Sequence, residues 1–79
     1  MPEQKIKQDD TIKIGANIRS IRKKQGIGQT ELVVKLQLSG VLMTRETLVK
    51  IERGTQHIQA SQLKGIRDAL RTTFDELLQ

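Results

Sequence analysis

Seventy-nine residues with no cysteine and one histidine make a single domain, near the size at which an unstapled core is only marginally stable. Disulfides and thiolate metal sites are excluded, His57 alone makes no metal centre, and nothing in the chain calls for a cofactor. The net charge of +5 fits a polyanionic partner, or simply the charge that keeps a small domain dispersed, while one Phe and no Tyr or Trp argue against single-strand binding, which stacks bases on aromatic rings.

The N-terminus MPEQKIKQDD is polar and lacks periodicity, so residues 1–10 are expected to form a flexible tail, with a folded domain over 11–79. No signal peptide is visible and no apolar run approaches the roughly 20 residues of a membrane span, which makes a cytoplasmic protein the expectation. Asp10 or Thr11 can cap a first helix running to about Gln25. Its stripe is Ile14, Ile18 and Ile21, and Arg22, Lys23 and Lys24 in its last turn suit the helix dipole. Gly26 ends it, Ile27 turns inward, and Gly28 serves as a weak cap for a second helix from Gln29 to about Gln37, burying Leu32, Val33 and Leu36.

The connection that follows is unexpectedly apolar, with Leu38, Val41, Leu42 and Met43. Either some of these side chains fold under to enlarge a small core, the reading favoured here, or they form an exposed patch for association. The third helix is the organising element. Thr44 is a good N-cap and Gly54 a left-handed stop, with Leu48 and Ile51 on one face and Glu46, Val49, Lys50 and Arg53 on the other. Such a helix offers little to a core and much to the major groove of duplex DNA. After it Ile58 tucks inward, and a fourth helix over Ala60 to Leu70 buries Leu63, Ile66 and Leu70. Gly65 within that helix is tolerable if another element passes close. Thr73 and Glu76 form a capping box for a last helix, Phe74 to Leu78, that buries Phe74 and Leu77. The reading is all-α: five helices and no strand.

The positive charge is concentrated. Residues 1–10 carry −1, residues 11–54 carry +6 and residues 55–79 carry 0, so the surplus sits with the third helix. Arg45 can fork onto guanine O6 and N7, and Lys50 can do so less rigidly or settle on a phosphate. Glu46 can accept from cytosine N4, or can simply favour the helix N-terminus as an anion.

The runs IGANIRSIRKKQGIGQTELVVKL, TRETLVKIERG, LKGIRDAL and TTFDELL, in that order and spacing, resemble the Cro/repressor-type (lambda-repressor-like, XRE-like) helix-turn-helix family over about residues 12–78. The resemblance implies a compact five-helix domain that binds double-stranded DNA, usually as a homodimer on a pseudo-palindromic operator. It places Arg45, Glu46 and Lys50 at base-reading positions, with Thr47 and Val49 as lesser contacts. It sets Gln29, Thr44, Arg53, Thr55 and His57 against the DNA backbone, Gln29 also being able to support base reading. Arg22 and Glu52 match an ion pair bridging the first and third helices. Two departures stand out: the connection before Thr44 is some five residues longer than in the tightest members, and Arg71 stands where relatives place a glycine after the fourth helix.

The function expected is a sequence-specific transcriptional regulator, a repressor that occupies its operator. The alternative is an antitoxin-like interaction module that binds DNA secondarily, its protein partner being a toxin or an anti-repressor. An enzyme is rejected, since one histidine, no cysteine and no clustered carboxylates leave nothing from which to build a site. For the dimer surface the last helix, through Leu77 and Leu78, is the first candidate, and the apolar connection the second.

Overall fold

A computed structural model describes residues 13–79 and the backbone of Lys5–Ile6. Five helices follow in order: α1 (Ile14–Lys24), α2 (Gln29–Leu38), α3 (Arg45–Arg53), α4 (Ala60–Leu70) and α5 (Phe74–Leu77). Two short strands, β1 (Lys5–Ile6) and β2 (Ile58–Gln59), pair antiparallel with Lys5 opposite Gln59 and Ile6 opposite Ile58. This ladder corrects the strand-free expectation, and two-residue strands carry too little alternation for periodicity to mark them. The remainder of the expected 1–10 tail, and the Asp10 and Thr11 caps, lie outside the described residues. α1 itself begins at Ile14, with Lys13 as an N-cap whose carbonyl accepts from the Asn17 N–H at 2.9 Å.

The core is gathered from every helix. Ile14 and Ile18 of α1, Leu32 and Leu36 of α2, Leu48 and Ile51 of α3, Leu63, Ile66 and Leu70 of α4, and Leu77 of α5 are buried together with Ile58. Ile21 and Ile27 are half-buried against this cluster.

The segment between α2 and α3 divides its apolar residues cleanly. Val41 packs on the core and Met43 is buried, while Leu38 and Leu42 are 85% and 88% exposed. Local geometry explains the division. Leu38 lies two residues beyond Leu36, about 200° around the helix, so it faces away from the core. Gly40, at φ +87°, reverses the chain, and the Val41 N–H donates to the Leu36 carbonyl at 2.9 Å, laying Val41 back over α2. From there burial alternates residue by residue: Val41 and Met43 inward, Leu42 outward. The expected folding-under therefore holds for Val41 and Met43, while Leu38 and Leu42 stay exposed.

α5 is a correction. Thr73 caps it, its Oγ1 accepting from the Glu76 N–H at 3.1 Å, and Leu77 is fully buried, but Phe74 is exposed. In a single turn one position faces the core, and Phe74 instead lies under the Arg67 guanidinium, 4.4 Å from ring centroid to Cζ. Burial of Leu77 also removes it from any association surface, leaving Phe74 and Leu78 as the exposed apolar residues of this end.

Candidate nucleic-acid interface

α3 is short, capped at both ends and held from behind. The Thr44 Oγ1 accepts from the Thr47 N–H at 3.1 Å, and Gly54 at φ +79° closes the helix, its N–H donating to the Ile51 carbonyl at 3.0 Å. Leu48 and Ile51 enter the core. Against α1 the approach is closer than side chains permit: a Cβ on Gly15 would lie 2.0 Å from the Ile51 carbonyl oxygen. Only glycine lets the two backbones meet there.

Beside this contact Arg22 and Glu52 form a two-pronged ion pair, with Nε to Oε2 at 2.8 Å and Nη2 to Oε1 at 2.9 Å. Their side chains are only 8% and 3% exposed. The remaining Arg22 nitrogen, Nη1, donates to the Ile27 carbonyl at 2.8 Å, and the Gln29 amide donates to Glu52 Oε1 at 3.2 Å. A buried pair of this kind adds little net stability, but breaking it strands a charge, so it fixes orientation. One guanidinium thus joins α1, the α1–α2 turn and α3.

The opposite face of α3 is free of the core. Arg45, Glu46, Val49, Lys50 and Arg53 line one open hollow of about 390 Å³. Arg45, Glu46, Lys50 and Arg53 are exposed and Val49 is half-buried. An exposed face with two arginines, a lysine and a glutamate has the donors and the acceptor needed to read base edges. Thr47 is not among them: it is half-buried, and its hydroxyl accepts from the Thr44 hydroxyl at 3.0 Å. Thr44 spends its own oxygen on the cap. Thr55 is exposed and donates to the Lys50 carbonyl at 3.2 Å, and His57 is exposed on the turn leading to β2. Gln29 lies on the other flank of α3, tied to Glu52.

On that flank a second, deeper cleft of about 630 Å³ runs between α1 and α3. Arg45, Val49 and Arg53 border it as well, so the two hollows share a rim. Its far side is α1, through Arg19 and Lys23. The sequence alone gives Lys23 to the helix dipole and Arg19 no role, although the two stand four residues apart, on the same side of α1.

The model of a helix-turn-helix family matches residues 18–77. The chain belongs to the Cro/repressor-type helix-turn-helix family. Members of this family are DNA-binding transcriptional regulators rather than enzymes, and that coarse function holds here. Among solved structures the chain is similar to the restriction-modification controller protein C.AhdI from Aeromonas hydrophila, with a TM-score of 0.74 and 23% sequence identity over 87% of this chain and 97% of that one. At that identity the likeness establishes the fold. No curated protein matches. Among the described residues no helix is long and apolar enough to cross a membrane.

Proposed function

We propose that this helix-turn-helix protein is a sequence-specific repressor that inserts α3 into the major groove as a homodimer on a pseudo-palindromic operator. The observation carrying this reading is the face of Arg45, Glu46, Val49, Lys50 and Arg53 on a helix whose rear is locked by a buried ion pair. Arg45, in the first turn, takes the leading base contact, Lys50 and Glu46 read its neighbours, and Val49 offers a methyl surface to thymine. Gln29, Thr44, Arg53, Thr55 and His57 border the sugar-phosphate backbone. A single reading helix covers only a few base pairs, so two copies related by a two-fold axis are needed to read a site about one helical turn apart. The protein works in the cytoplasm, and on the nucleoid when bound.

The testing experiment is selection of binding sites from random duplex DNA at near-physiological salt. An enriched inverted repeat is expected, and Arg45→Ala should relax one base position in each half-site, a loss of about 1–3 kcal/mol of discrimination. Binding that fades with salt and enriches no motif would overturn the reading. Phe74 and Leu78, 37% and 36% exposed at the α5 end, are the first candidates for the dimer contact. Leu78→Glu should then shift sedimentation equilibrium to monomer, and an unchanged dimer would remove α5 from consideration. The exposure of Leu38 and Leu42 favours a second reading, in which a toxin or anti-repressor docks on the α2–α3 segment.

A further inference from the structure

The proposed function gives the outer face of α3 to the bases, and Gln29 and Arg53 to the backbone, and leaves the α1 side of the cleft between α1 and α3 without a role. Four exposed cations line that cleft: Arg19 and Lys23 from α1, Arg45 and Arg53 from α3. The only carboxylate in its wall is Glu52, and Glu52 is spent. Its Oε2 accepts from Arg22, and its Oε1 accepts from both Arg22 and Gln29. Among the described residues the ion pairs are Arg22–Glu52 and Arg67–Asp68, so neither α1 cation is neutralised by this part of the chain.

The placement of the α1 cations is fixed by the same features that fix α3. Gly15, Arg19 and Lys23 stand four residues apart, forming one row along α1. The row starts at the backbone contact between Gly15 and Ile51, and its two cations lie further on, where the cleft opens. Arg22, beside them, is pinned to Glu52. The side of α1 bearing Arg19 and Lys23 therefore cannot rotate away from α3. Four like charges held around one hollow repel one another until an anion enters, and the hollow is wide enough for a tetrahedral oxyanion with its hydration.

We infer that this cleft seats a phosphodiester of the DNA strand at the edge of the major groove that α3 reads, with Arg19 and Lys23 of α1 as its ligands. The inference rests on the reading of α3 as the groove-binding helix. Arg45 and Arg53 border both the outer face of α3 and the cleft, so a strand leaving the base-reading face passes directly to the α1 cations. α1 is then a second backbone clamp, sequence-blind, that sets how deeply α3 enters the groove.

The test is the salt dependence of binding to a fixed duplex, with the doubly substituted R19A/K23A chain compared to the unaltered one. Loss of the one seated phosphate reduces the slope of log K against log salt by about 0.9, and weakens binding alike on every sequence. Arg19→Lys in the K23A background should restore most of that slope, since one cation again faces the phosphate. Both residues are exposed, and an unchanged thermal midpoint confirms that the variants fold. An unchanged slope would overturn the inference, as would tight binding of inorganic phosphate to the DNA-free chain, followed by amide shifts at Arg19 and Lys23, with no change in slope. The latter outcome assigns the cleft to a small anion. Duplex of arbitrary sequence serves equally well, so a failure to select any motif would end the base-reading proposal and still leave the slope to decide this one. A chain that binds no duplex would end both.

Discussion

Two helix crossings in this fold are built around a glycine, and they are built differently. At the α1–α3 crossing Gly15 faces main chain, the Ile51 carbonyl and the Glu52 Cα, and a buried ion pair stands beside it. At the α2–α4 crossing Gly65 faces side chains: a Cβ there would lie 2.8 Å from Val41 Cγ2 and 3.1 Å from Leu36 Cδ2. Methyl groups can shift by a few tenths of an ångström, whereas a carbonyl in a helix can move only if the helix moves. The crossing that sets the attitude of the reading helix is thus the unyielding one, and the crossing under the α2–α3 connection is the adaptable one.

Substitutions can break or sharpen this contrast. Glu52→Ala should have the largest effect, a loss of about 3–5 kcal/mol in chemical or thermal denaturation, because Arg22 is left buried without its counter-charge. A loss under about 1 kcal/mol would mean that the pair behaves as a surface bridge and that the α1–α3 crossing is softer than described. Gly15→Ala should cost about 3 kcal/mol by forcing the two backbones apart, and should also weaken duplex binding beyond what the lost stability explains. Gly65→Ala should cost less, a net of about 1 kcal/mol, since the gain in helix propensity offsets part of the repacking around Val41 and Leu36. Equal losses at the two glycines would erase the contrast. The smallest effect is expected at the helix ends. α3 stops at Gly54, but α4 stops at Arg71, which adopts the same left-handed conformation at φ +53° with a side chain in place. Arg71→Gly should therefore raise stability by about 0.5–1 kcal/mol, read as an increase in thermal midpoint.

Much of this architecture is legible in the chain because its main signals are long-period ones. The isoleucine stripe of α1, the Leu32–Val33–Leu36 face of α2 and the Thr44 to Gly54 frame of α3 each repeat or bracket over several turns, and all three appear in the fold. What the sequence hides is short or relational. Phe74 and Leu77 look equally apolar, and which one reaches the core depends on the orientation of a four-residue helix and on Arg67 offering its guanidinium to the ring. Val41 and Leu42 are adjacent and chemically alike, and the turn at Gly40 sends them to opposite sides. At Arg71 α4 still closes in a left-handed turn, the Arg71 N–H donating to the Arg67 and Asp68 carbonyls, on a residue that does not favour that conformation. The candidate reading residues are largely visible from the helix wheel of α3. Thr47 is the exception, turned into the cap, and Arg19 and Lys23 gain their meaning only when α1 is laid beside α3.

The Arg22 guanidinium, bonded at once to Glu52 and to the Ile27 carbonyl, has a consequence for how the molecule breathes. A nine-residue helix with an exposed outer face ordinarily frays on its own, exchanging its amide hydrogens long before the rest of the domain opens. Here α3 cannot lift without parting a buried charge from its partner, so its opening is tied to that of α1 and of the turn between α1 and α2. The three should exchange with deuterium as one cooperative unit, the amides of α3 being nearly as slow as those of α1. The helix that meets the outside world most directly is then among the last parts of the fold to come undone.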